Sequence, residues 1–226
     1  AWVLSAKGRG PQPVGSPLAD SSPPAYRRHS SAQGGDHQAR VHLESFSASS
    51  PWADELSAIR QGTESQADNG ELAQLFSDDQ AARSGDPSKI DWSKLKLEDE
   101  ARRMRVQQLL AQGEVRTGKD YWHAAFIFQH GTKPEDFLLA HALACASMAR
   151  GYPRAAWIAA ATLDRYLGNI GQPQIYGTQY VKGAEGRWTQ GSYNSALIPD
   201  ELRKLSGVRT LSEQEAMLRE MQAGER

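Results

Sequence analysis

From Lys119 to Leu167 the chain passes through three helix-length segments that are apolar on almost every face. "KDYWHAAFIFQH" (119–130) stops at Gly131. In the next segment Thr132 and Glu135 form a capping box and Pro134 fits the first turn; it runs to about Arg150, ahead of Gly151. Pro153 opens "PRAAWIAAATLDRYL", which stops at Gly168. A helix that is apolar all round has to be covered on several sides, which places these segments, and Trp157 with them, at the centre of the fold. Joined by connections of only a few residues, they predict antiparallel helical hairpins.

The flanks fit around that centre. "PWADELSAIRQG" (51–62) reads as a short helix, and Asn69 as the cap of a helix in which Leu72, Leu75 and Phe76 recur at helical spacing until Gly85-Asp86-Pro87 stop it. A further helix is expected at about 97–112, with Gly113 as its stop. "QYVKGAEGRWTQG" reads as a β-hairpin turned by Gly183 to Gly186, and two short helices follow near 199–205 and 212–222. The expected fold is therefore mainly α: packed antiparallel helical hairpins, with one small β-hairpin after the fifth main helix. "LLAQG…YWHAAFIFQHG" and "SMARG…WIAAATLDRYLG" echo one another loosely, but two copies fall short of a solenoid.

Residues 1–52 contain 10 Ser, 6 Pro and 5 Gly, a composition that predicts a disordered head. A short helix and linker at 53–68, a helical domain at 69–206 and a C-terminal helix or tail at 207–226 complete the organisation. Beyond the head the chain carries 21 basic and 24 acidic residues without a basic stripe, which argues against nucleic acid as the main partner. No run of about 18 apolar residues offers a membrane span. The lone Cys145, within "HALACASMA", reads as a small core residue in a reducing, cytoplasmic compartment.

Several polar side chains interrupt the apolar helices. Asp120, His123, Ile127 and His130 lie at offsets 0, 3, 7 and 10, one stripe down one helix face. Asp164 and Arg165 break the run of Ala, Trp, Ile and Leu in 153–167. Buried without partners, such groups cost several kcal/mol each, so they satisfy one another or bind something. The simplest arrangement sets His123 against Asp164 or Asp120, either as a pin between helices or as an acid/base pair. His141, alone in its helix, reads as structural. His123 and His130, seven residues apart, sit roughly 10.5 Å apart along a helix axis and do not chelate one metal together; no metal or other cofactor is expected. After the last apolar helix, "GNIGQPQIYGTQY" sets Gln172, Gln174, Tyr176, Thr178 and Gln179 along a broken, extended path, either as a pocket wall or as caps for the loop backbone.

At "DYWHAAFIFQHG" and "AATLDRYLGNIGQPQIYGTQY" the chain resembles a bacterial family of helical proteins known only as domain of unknown function 6624. The likeness extends upstream through "DDQAAR" (78–83), an Asp-Gln-x-x-Arg element, and "DEARRMRVQQLL", and downstream to about Leu205. It covers roughly residues 69–206. Matching positions are Asp79, Gln80, Arg83, Asp120, His123, His130, Asp164, Arg165, Gln172, Tyr176, Gly177, Thr178 and Gln179. The resemblance implies a helical domain whose shared polar residues gather at one site, and it implies no reaction.

Two functions fit these residues. The first is a pocket for a polar small molecule, with non-covalent, hydrolase-like acid/base chemistry at His123, oriented by Asp164 or Asp120. His130, Arg165, Gln172, Tyr176, Thr178 and Gln179 would then bind the ligand. The second is a helical-hairpin module that binds a protein partner without catalysis. Convergence of His123 and the 172–179 side chains on one cavity favours the first. No activated Ser or Cys, phosphate loop or nucleotide fingerprint is present to support covalent or nucleotide chemistry.

Overall fold

Good caps decide where the helices start. The computed structural model describes residues 66–183 and 185–223, so the expected head and the helix near 51–62 lie outside the described residues. Helix α1 (Gly70–Ala81) begins at Asn69, whose side chain accepts the Leu72 N–H at 3.0 Å. Helix α2 (Trp92–Ala111) begins five residues ahead of the expected start, because the Asp91 carboxylate accepts the N–H groups of Ser93 and Lys94. Helix α3 (Gly118–Phe128) opens with a capping box of Thr117 and Asp120.

Helix α4 (Pro134–Ala149) is capped differently from expectation. Asp136, not Glu135, reaches back to the N–H groups of Thr132 and Lys133. Pro153–Ala155 form a single 3₁₀ turn before α5 (Ala156–Asn169), and Gly168 lies inside α5 rather than ending it. Strands β1 (Val181–Lys182) and β2 (Trp188–Thr189) pair antiparallel, Val181 opposite Thr189 and Lys182 opposite Trp188. Helices α6 (Asp200–Leu205) and α7 (Leu211–Ala223) complete the described chain. The protein is mainly helical, with one small sheet following the fifth helix.

Helix α4 lies in the middle, packed extensively on both α3 and α5, while α1 and α2 cover the other side of α3. Alanines permit that closeness: Ala124, Ala125, Ala140, Ala144, Ala155 and Ala159 are all buried among Leu72, Val106, Ile127, Phe128, Leu143 and Ile158. Each large aliphatic or phenyl side chain hidden this way contributes about 1.5–3 kcal/mol. At Gly118 the helices come closest. The Ser147 hydroxyl bonds to its carbonyl at 2.5 Å, and a Cβ there would sit 2.8 Å from that of Tyr152.

Two expectations about this core are corrected. Cys145 is exposed on the outer face of α4, its sulfur 3.6 Å from His141 Nε2. Trp157 is only half-buried, because the central face of α5 belongs to Ile158 and the alanines. His141 is half-buried and bonds through Nδ1 to the Ala159 carbonyl at 2.9 Å, joining α4 to α5. Among the described residues no helix is long and apolar enough to cross a membrane.

Candidate functional site

The loop after α5 is organised by one carboxylate. Asp164, buried near the C-terminal end of α5, accepts the backbone N–H groups of Ile175 (2.8 Å), Tyr176 (3.0 Å) and Thr178 (2.9 Å). It also accepts the Thr178 hydroxyl at 2.8 Å. Both oxygens are thereby occupied. Gln174 is buried beside it; its carbonyl accepts Gln179 N–H, and its amide donates to the carbonyls of Gln179 and Gln190. Gln179 in turn donates to Ala161 O and Thr178 Oγ1. Much of the amide chemistry therefore goes into holding the loop backbone, and the loop so held forms one wall of a cavity.

The cavity has a volume of about 540 Å³. Gln129 and His130, just past the end of α3, line it together with α5 residues Asp164, Arg165 and Asn169, and Gln172, Gln174, Thr178, Gln179, Gln190 and Ser192 add further polar surface. Phe126, Phe137 and Trp157 supply apolar surface. Of the residues expected to gather at a site, His130, Asp164, Arg165, Gln172, Thr178 and Gln179 line this space. His123, Asp120 and Tyr176 do not. The Tyr176 backbone carbonyl instead accepts Tyr193 Oη at 3.2 Å and Gln214 Nε2 at 2.9 Å.

His130 is the histidine that has a carboxylate. Helix α3 ends at Phe128, so His130 leaves the stripe that passes through His123, and its Nδ1 lies 3.0 Å from Asp79 Oδ1. Asp79 is fully buried and ties together Arg83 (2.9 Å) and the Gln80 amide (2.7 Å). Arg83 also reaches Asp99 at 2.5 Å, and Asp99 takes Arg102 at 2.7 Å. Because a carboxylate only accepts, Nδ1 carries the proton. Burial pushes the His130 pKa below its ordinary value and outweighs the opposing pull of Asp79, while Arg83 and Arg165 push in the same direction as burial. The ring is therefore neutral at pH 7, with its lone pair on Nε2, and the residue lines the cavity.

Arg165 is the other unusual group. One guanidinium nitrogen donates to the Gln129 carbonyl at 3.1 Å, while Nε is buried without a partner. Burial first, then repulsion from Arg83, lowers its pKa to about 10, which leaves it charged at neutral pH. Among the described residues it has no carboxylate partner.

The expected trio of His123, Asp120 and Asp164 is not brought together. Asp120 is spent on backbone, accepting from Asn69 (2.8 Å), Thr117 (3.0 Å) and Arg116 (3.1 Å), which ties the start of α1 to the start of α3. His123 stacks on Phe76 with ring centroids 4.5 Å apart, leans on Trp122, and leaves Nδ1 buried without a partner. Burial, helped by Lys119, drives its pKa down to about 4 against weaker pulls from Asp120 and Asp68.

The sign of the consequence follows directly. As pH falls from the ordinary 6.5 towards 4, the unfolded chain takes up a proton that the folded His123 refuses, so stability falls. His123→Phe keeps the stack and removes this dependence. Its urea-unfolding free energy should match the parent within about 1 kcal/mol at pH 7 and exceed it by up to about 3 kcal/mol at pH 4. Parallel pH profiles for the two proteins would place the acid sensitivity elsewhere.

Asp79, Asp99 and His130 offer ligand atoms all within 4.8 Å of one another, the spacing of a metal site. The donor set does not fit a cation, because Arg83 already bridges the two carboxylates and Arg102 takes the remaining side of Asp99. Sequence reasoning missed the Asp79–His130 pairing and the Gln129, Gln190 and Ser192 walls. A signal for Asp79 was present. It falls three, four and seven residues after Phe76, Leu75 and Leu72, on the apolar stripe of α1, and an acid on that stripe is buried. Comparison of the chain with protein-family models, with curated proteins and with solved structures returns no match.

Proposed function

We propose that the chain binds a polar small molecule in the 540 Å³ cavity and performs non-covalent acid/base chemistry on it, of hydrolase type, through His130. The observation that carries this reading is the Asp79–His130 pair at 3.0 Å in a histidine that lines the cavity, with Nδ1 engaged by the carboxylate. His130 Nε2 takes a proton from a water or from a ligand hydroxyl and returns it later. Asp79 fixes the tautomer and stabilises the imidazolium as it forms. Arg83 and Gln80 hold Asp79 in place, so the imidazole is oriented before a ligand arrives.

Four residues of the 172–179 segment, without Tyr176 or His123, line one cavity, and this partial convergence supports a pocket over a convex protein-binding module. Of the positions shared with the family it resembles, Asp79, Gln80, Arg83, His130, Asp164, Arg165, Gln172, Thr178 and Gln179 lie in or directly behind this cavity. The proposed partner is thus a small molecule and not nucleic acid. The free, exposed Cys145 thiol fits a reducing, cytoplasmic setting.

A thermal-shift screen against a metabolite library, followed by turnover assays on each stabilising compound, tests the proposal. His130→Asn is the informative variant, since the Asn amide can replace Nδ1–H towards Asp79 but offers nothing in place of Nε2. Turnover should fall about a hundredfold or more while the stabilising shift is kept. Undiminished turnover in His130→Asn, or a library with no stabilising compound, would rule out this reading.

A further inference from the structure

The charges on the cavity wall are not paired with one another, and the unpaired cation points to a class of ligand. Three lining residues bear on the charge: Asp164, His130 and Arg165. Asp164 is satisfied by three backbone N–H groups and a hydroxyl. His130 is neutral, its pKa held below the ordinary value by burial. Behind the wall, Asp79 and Asp99 are matched by Arg83 and Arg102. Among the described residues Arg165 has no carboxylate against its charge: it has one bond to a carbonyl, a buried Nε without a partner, and a second guanidinium, Arg83, close enough to repel it. A cation placed this way is unfavourable unless an anion joins it. The guanidinium fork retains donors beyond its single bond to Gln129, and the paired oxygens of a carboxylate or phosphate match that fork.

The same cavity also offers apolar, aromatic surface. Phe126 and Trp157 lie nearly parallel, at 24° with centroids 6.2 Å apart, and Phe137 joins them on the cavity wall. We infer that the ligand is a small oxyanion, a carboxylate or phosphate joined to an apolar, ring-bearing body, with its charge on Arg165 and its body along Phe126 and Trp157. This inference rests on the reading of the cavity as the ligand site. It adds that the charged end is held on Arg165, whose guanidinium bonds to the Gln129 carbonyl next to His130, so that the bond worked on lies close to the anion.

Calorimetric titration with benzoate, phenyl phosphate and neutral benzamide tests it, on the full chain and on Arg165→Gln, Arg165→Lys and His130→Asn. One or both anions should bind the parent at least about tenfold more tightly than benzamide. Arg165→Gln should bring the anions to within about threefold of benzamide, and Arg165→Lys should restore part of the preference. His130→Asn should bind the anions as the parent does. Preference for only one anion identifies the headgroup as carboxylate or phosphate and supports the inference. Equal binding of benzamide and the anions by the parent overturns it while leaving the acid/base reading in place. So does an anion preference that survives in Arg165→Gln. No binding of any probe up to about 10 mM overturns the inference as well. Arg165→Gln should remain folded, since it removes an uncompensated charge; should it fail to fold, the comparison rests on Arg165→Lys, whose binding of anions no better than benzamide would again overturn it.

Discussion

Asp79→Ala should cost about 3–5 kcal/mol of folding free energy, the largest loss expected from any single polar side chain in this fold. Asp79 is fully buried and serves four groups: Arg83, Gln80, His130 and, at 3.7 Å, Arg102. Without it, two buried guanidinium groups are left with Asp99 and a long contact from Arg102 to half-exposed Glu98 at 4.0 Å, and the cluster between α1, α2 and the end of α3 acquires a net positive charge away from water. That charge is the source of the loss, because a buried pair adds little net stability when intact but is very unfavourable once one partner is gone. Asp79→Asn keeps the shape and part of the hydrogen bonding, so it should fall between the parent and the alanine variant. Urea unfolding with slope and midpoint both measured gives the numbers. A loss under about 1 kcal/mol would mean that water reaches the cluster and screens it.

Asp164→Ala should cost about 2–4 kcal/mol and abolish ligand binding in the cavity even where the helices persist. The variant leaves three backbone N–H groups of the 175–178 segment without an acceptor. Those groups regain water only if the loop lifts off α5, and the cavity wall lifts with it. Asp164→Asn should do nearly as badly, because its amide nitrogen would present N–H to N–H. Hydrogen exchange reads the effect locally. Protection at Ile175, Tyr176 and Thr178 should drop in the variant far more than at Ala124 or Ile127 in α3. Unchanged protection at those three amides would show that the loop is held by Gln174 and its own backbone.

The helical frame was legible in the sequence because all-round apolarity, capping residues and glycine stops are local signals. The third apolar segment was misjudged only in detail. Its outer face carries Trp157 towards the cavity, and a composition that is apolar on every side does not say which side a neighbour leaves open. The candidate site was legible in part. The amide-rich loop reads from sequence as a wall or as backbone caps, and it is both, but a buried acid is expected to seek a buried base, which sets Asp164 or Asp120 against His123. Backbone N–H groups eleven to fourteen residues after Asp164 satisfy it instead. The stripe that joins His123 to His130 requires a helix that continues through both. The helix stops at Phe128, and two further residues of turn send His130 towards Asp79, more than fifty positions upstream. Pairings over such separations depend on how α1 packs on α3, which no local pattern encodes.

The C-terminal helix bears on where this unit can be said to end. Gly177, at φ +81°, is pressed so closely against Gln214 and Tyr193 that a Cβ would collide with both side chains. Gln214 on α7 donates to Tyr176 O and to Arg209 O, and accepts from Gln190 and Tyr193. The cavity wall is thus braced from behind by residues that lie past 206, outside the stretch marked by the family resemblance. Helix packing would draw a boundary there; the cavity does not respect it. A shortened chain would keep its hairpins and lose the backing of its wall, so substitutions in the last helix belong among those that change what the cavity admits, although none of them would touch a ligand.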